Sequence, residues 1–249
     1  MTTTETPAAP PPPAPAPKPS GFERLIGVLM SPSETFASIA RQPDFAVPLI
    51  VFIIVSAITG FVFAQRVDFV APAREAMEAR GNMTEAQMES ALRITGIISK
   101  ILSYCAPVFG LIILLIIAAV LLLAFRLMGG EGDFKQAFSV TLYAWMPQII
   151  KSVIITILVA AKSGVTSMDL PVLVRSNPGF LVSLKDHPLL FSLLTNVDLF
   201  GIWTLVLFII GFSYVSKFSK GKSAAVVITV RVIALLIGLI GPAIQSMRK

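Results

Sequence analysis

The stretch ILSYCAPVFGLIILLIIAAVLLLAFRLM, Ile101–Met128, contains no carboxylate and one basic side chain, Arg126, close to its end. As a helix it would extend about 42 Å at about 1.5 Å per residue, against a hydrocarbon core of about 30 Å. It spans a bilayer with length to spare, and the excess requires tilt, a bend at Pro107 or a protruding end. Outward from this run the same pattern recurs at Phe45–Ala64, Phe138–Ala161, Phe191–Tyr214 and Ala224–Ile244. The expected fold is an all-α polytopic membrane bundle of five transmembrane helices, with short interfacial helices at its N-terminal side.

Composition agrees. Of 249 residues, 55% are hydrophobic and 14% charged, and the mean hydropathy is +0.83. That is more apolar surface than a soluble core of this size conceals, so much of it faces lipid. The net charge of +6 sets twenty Lys and Arg residues, most of them scattered along the connections, against fourteen Asp and Glu. They form no stripe interleaved with aromatics, which excludes nucleic acid and leaves anionic headgroups as the natural counterpart. The lone cysteine, Cys105, offers neither a disulfide nor a CxxC site.

The chain divides into a tail, an amphipathic segment and the membrane domain. Residues 1–19, rich in Pro and Ala, cannot bury a core and are expected to be disordered. They lack the basic and apolar regions of a signal peptide, so the first span is expected to be an uncleaved anchor. Residues 20–44 read as two short amphipathic helices. Phe22, Leu25, Ile26 and Leu29 mark the first; Ser31 as N-cap, Pro32 at the first helical position and Glu34 suggest a capping-box start for the second. Placement in the membrane interface and packing against the bundle are both open for them. Residues 45–249 form the five-helix domain, in which Thr84 with Gln87 is a second capping box and Gly129–Gly130 a turn ending the second span.

Basic residues divide almost evenly between the two sides. The dense trio in SKFSKGKS, Lys217, Lys220 and Lys222, lies on a very short turn and favours that side as cytoplasmic, with the N-terminus on it and Lys249 outside.

Three runs carry a resemblance: VLMSPSETFASIA (Val28–Ala40), FKQAFSVTLYAWMPQII (Phe134–Ile150) and DLFGIWTLVLFIIGFSYVSKFSKGKSAAVV (Asp198–Val227). Together, over about Gly21 to Gly241, the chain resembles the Yip family of Ypt-interacting multipass membrane proteins, in its prokaryotic form. Ser31 and Pro32 fall in the first run. The eukaryotic signature Asp-Leu-Tyr-Gly-Pro is matched at Asp198, Leu199, Phe200 and Gly201, with Ile202 in place of proline. The resemblance implies a five-helix membrane domain, N-terminus cytoplasmic and C-terminus outside, and membrane organisation or an adaptor role; a cell inner membrane is the expected location. Eukaryotic relatives are associated with prenylated Rab-type GTPases and vesicle trafficking, but the tail of this chain shows no evident GTPase-binding segment.

Catalytic motifs are missing from the sequence: there is no GxSxG elbow, HExxH helix or phosphate-cradling loop. Serines such as Ser56 and Ser139 have no accompanying base. His187, the single histidine, lies in the connection KDHP and reads as solvated. No cofactor, metal or enzymatic activity is therefore expected. The expected partners are the bilayer and a membrane or cytoplasmic protein.

What stands out inside the spans is polar: Gln148 and Lys151 in the third, Asn196 and Asp198 in the fourth, Arg231 in the fifth. An ionised side chain at mid-helix costs roughly 2.5–3.5 kcal/mol on insertion scales and normally faces a partner or a watery cavity. Pro147 should kink the third helix beside them. Counted from the far surface, Lys151 lies about 15 Å deep, Asp198 about 10 Å and Arg231 about 20 Å. Lys151 is therefore expected to pair with Asp198, leaving Arg231 to snorkel toward the near headgroups. Two readings follow. One is a structural clamp in a non-enzymatic organising protein or adaptor; the alternative is a solute or ion transporter subunit using Lys151, Asp198 and Arg231. Five spans with no evident repeat weigh against the second.

Overall fold

Prolines and cap residues cut the apolar runs into helices shorter than hydropathy alone suggests. The computed structural model describes residues 20–79, 81 and 83–247, so the expectation for residues 1–19 lies outside them. The helices are α1 (Gly21–Met30), α2 (Pro32–Arg41), α3 (Ala46–Arg66), α4 (Val70–Glu78), α5 (Glu85–Tyr104), α6 (Ala106–Leu127), α7 (Phe134–Ala144), α8 (Met146–Ala161), α9 (Leu170–Leu173), α10 (Pro188–Asn196), α11 (Leu199–Ser216) and α12 (Lys220–Met247). Five spans are long and apolar enough to cross a membrane: α3, α6, α7 with α8, α11, and α12 as far as Ile244. Among the described residues there is no strand, only an isolated bridge between Asp68 and Thr166.

Three breaks set the architecture. At Cys105 the long second stretch divides, and Pro107 occupies the first turn of α6, where its missing N–H removes no hydrogen bond. The excess length anticipated there is thus absorbed by a separate helix, α5. At Trp145 the third span divides, with Pro147 in the first turn of α8; the expected kink is present as a helix boundary. The fourth stretch departs most from expectation. It is not continuous from Phe191, because α10 ends at Asn196, Val197 leaves helical geometry, and Asp198 caps a new helix. Beyond α6, Gly129 takes φ +82° and the Gly130 N–H donates to the Phe125 carbonyl at 2.8 Å, closing the helix as its glycines require.

Capping follows the sequence in part. The Thr84–Gln87 box is formed. The box expected at Ser31 is not: Ser31 flanks α2, but its hydroxyl caps nothing, and its carbonyl accepts from the Thr35 N–H and hydroxyl. Its φ of −137° with ψ of 62° belongs to the sharp elbow between α1 and α2 and not to the extended backbone from which an N-cap side chain reaches the amides. Reciprocal boxes occur instead at Ser20–Glu23 and Asp133–Gln136.

The core is concentrated at the end of the bundle that carries α1 and α2. Val28, Phe36 and Ile39 are fully buried against Val140, Leu142, Phe125 and Phe212. The Phe125 and Phe212 rings stack with centroids 5.0 Å apart. Helix α2 approaches α11 where Gly211 lacks a side chain; a Cβ there would strike Val140 and crowd the Phe36 ring. Both short helices therefore pack on the bundle. On the outside of α3, Ile50, Ile54, Ile58 and Phe61 form a stripe more than half exposed, as lipid-facing residues should be.

Candidate functional site

Because α11 begins at Asp198, this carboxylate is not stranded within a helix. Its Oδ1 accepts the Gly201 N–H at 3.1 Å, the ordinary work of an N-cap, while Oδ2 receives the Lys151 Nζ from α8 at 2.9 Å. The Ser176 hydroxyl also donates to Oδ2, and the Leu199 N–H donates to the Ser176 carbonyl at 3.0 Å. Asp198 is buried and Lys151 nearly so. The expected ion pair is thus formed, and it joins three parts of the chain: α8, the connection before α10, and the start of α11.

The motif residues take distinct places around this pair. Leu199 points outward at 64% exposure, whereas Gly201 lies opposite the Gln148 amide, with ordinary space for a Cβ. Gln148 Nε2 reaches the Thr204 hydroxyl at 3.4 Å. Ser31 and Pro32 are far along the fold from the pair, at the α1–α2 elbow, so these two motif segments do not converge on one site.

Arg231 departs from its expected role. Its guanidinium donates to Asn196 Oδ1 at 2.9 Å, with Asn196 itself anchored by a bond to the Ser192 carbonyl at 2.8 Å. The break after α10 brings Asn196 against α12, and the arginine is held there by Asn196 instead of extending free. No carboxylate pairs with Arg231 among the described residues. A cavity of about 450 Å³ lies beside it between α6, the α7–α8 junction, α11 and α12. Gln148, Thr204 and Arg231 polarise one end; Ile117, Leu121, Phe208 and Val227 line the remainder.

Sequence reading passed over Ser176 and Thr204, two short polar side chains that carried no charge signal. It also passed over a hydroxyl ladder in which Thr59 of α3 lies 2.8 Å from Thr156 and 3.1 Å from Ser152 of α8. Such pairs hold membrane helices together without ions. A further surprise is Arg24, buried at the core end, where it donates to the Gln42 carbonyl at 2.9 Å and the Ser38 hydroxyl at 3.2 Å. Its position on the same face as Leu25 and Val28 was the available signal.

A family model described as the Yip1 domain matches residues 26–241. Comparison with curated proteins yields no match, and comparison with solved structures yields none either.

Proposed function

The chain belongs to the Yip1 family, and from that membership we propose that it acts without catalysis, as an integral membrane protein that organises the leaflet at its α1–α2 end. One observation carries this reading. Helix α1 buries Arg24, Leu25 and Val28 in the bundle but leaves Phe22, Ile26 and Met30 at 65%, 53% and 79% exposure, one above the other along its outer face. Anchored apolar side chains at a bundle end are suited to lie among headgroups and acyl carbons, where they spread the leaflet.

The charges around that face support the same assignment. Arg41, Lys135, Lys217, Lys220 and Lys222 are all exposed. Lys220 reaches Ser33 at 3.4 Å, and Lys222 reaches the Met128 carbonyl at 3.3 Å, so the lysine-rich turn shares an end with α2. Basic residues beside an anionic leaflet gain about 1 kcal/mol each. This end is accordingly assigned to the cytoplasmic side of a cell inner membrane. Conduction through the polar cluster is less favoured, since Lys151 and Asp198 neutralise one another. An adaptor role remains compatible, with α1 and α2 as the surface offered to a partner.

Reconstitution into vesicles containing anionic lipid tests the reading. The wild-type protein should reduce vesicle diameter or draw tubules, and the combined changes Phe22→Ser, Ile26→Ser and Met30→Ser should abolish the effect while leaving the melting temperature in place. Identical vesicles with both proteins would overturn it.

A further inference from the structure

The polar cluster does not balance. Lys151 and Asp198 cancel, whereas Arg231, about 17 Å along α12 from Lys220, meets only the neutral amide oxygen of Asn196 among the described residues. Arg231 is exposed, and a guanidinium has five N–H donors; in a bilayer-spanning helix the donors left over open toward lipid and not toward water. Apart from Gln148 and Thr204 the cavity beside it is apolar, and at about 450 Å³ it falls within the range of small-molecule sites. Ile116 and Val120, at 55% and 45% exposure, mark a lateral opening toward lipid between α6 and α12.

We propose that this cavity binds a single-chain anionic amphiphile, its carboxylate or phosphate head bonded to Arg231 and its hydrocarbon tail against Ile117, Leu121, Phe208 and Val227. The head supplies the negative charge that the cluster lacks. Gln148 and Thr204 flank that end with further hydrogen-bonding groups. Entry is lateral, from the bilayer, as the opening between α6 and α12 permits. A second copy of the chain is a poorer occupant, because Arg231 lines a concave cavity that a flat helix face would leave unfilled. The site is separate from the exposed stripe of α1, so failure of the vesicle experiment would leave this proposal untouched, and the reverse.

The test uses the full chain in neutral detergent, titrated with oleate, oleoyl lysophosphatidate and oleyl alcohol, with binding read by native mass spectrometry and thermal shift. One anionic probe should bind per chain about tenfold more tightly than the alcohol, the equivalent of about one charge-assisted hydrogen bond. The stronger of the two acids identifies the head as carboxylate or phosphate. Arg231→Gln should remove the preference and Arg231→Lys should retain part of it. Ala234→Phe, which adds bulk from a lipid-exposed position of α12 lining the cavity, should weaken all three probes alike. Equal binding of acid and alcohol, a preference that survives Arg231→Gln, full binding in Ala234→Phe, or a dimer that covers Arg231 in the absence of probe would each overturn the proposal.

Discussion

Asp198 shows how a carboxylate can be held deep in a membrane protein. One oxygen caps α11 through the Gly201 amide, and the other is shared by Lys151 and Ser176. Removing Lys151 leaves the carboxylate with a hydroxyl and an amide; removing the charge of Asp198 leaves an ammonium with nothing comparable. Lys151→Met and Asp198→Asn should each lower stability by about 2–3 kcal/mol, the scale of a charged hydrogen bond. Asp198→Asn should be the more damaging, and the double variant should lose less than Asp198→Asn alone, since no buried ion is then left unpaired. Thermal denaturation of all four proteins in one detergent checks this, and additive losses would mean that the two side chains do not interact. Arg24 invites a parallel test. Arg24→Met should free the Gln42 carbonyl and loosen α1 from α2, which protease cleavage between the two helices would reveal.

Among the elements, small residues decide which helices meet. A Cβ on Gly60 of α3 would overlap the backbone carbonyl of Ser103 at the end of α5, and a carbonyl in a helix cannot swing aside as a side chain can. Gly60→Ala should therefore lower stability by about 1–3 kcal/mol through forced separation of α3 and α5. On α12, Gly238 has open space around it and an ordinary helical backbone. Gly238→Ala should be neutral or stabilise by about 0.5–1 kcal/mol through the better helix propensity of alanine. Melting temperatures of the pair separate a packing role for glycine from a merely tolerated one. Helix α7 supplies a third case: Asp133→Ala removes the 2.8 Å bond that its carboxylate accepts from the Gln136 N–H, while the backbone N–H of residue 133 can still donate to the Gln136 side chain, and should cost about 1 kcal/mol.

Over the whole molecule, orientation is the property that everything else presupposes. The α1–α2 elbow and the Lys217–Lys222 turn share one end, while the connection that includes Asp186 follows α8 at the other. With Cys105 replaced by serine, Ser33→Cys should react with an impermeant thiol reagent only from the cytoplasmic face, and Asp186→Cys only from outside. Labelling with the sides exchanged would invert the assignment and move the exposed stripe of α1 to the opposite leaflet. Deletion of residues 2–19, whose composition offers nothing to bury, should leave insertion and the melting temperature unchanged.

The five spans were legible in the chain because hydrocarbon thickness and helical rise convert apolar length directly into crossings, a one-dimensional relation. Gly129, Pro107 and Pro147 were equally legible, since their backbone restrictions act locally. Depth counting even anticipated Lys151 with Asp198. What it could not give was the break at Val197, which no proline or glycine announces: it depends on Ser176, distant in sequence, accepting the Leu199 N–H and donating to Asp198. That break carries Asn196 to α12, where it holds Arg231 beside the cavity. Likewise, α1 and α2 showed two amphipathic faces, but only packing decided which apolar residues went into the bundle and which stayed outside. Periodicity identifies a face; the neighbour that covers it is fixed by contacts between segments far apart in the chain, and those exist only once the tertiary structure has formed.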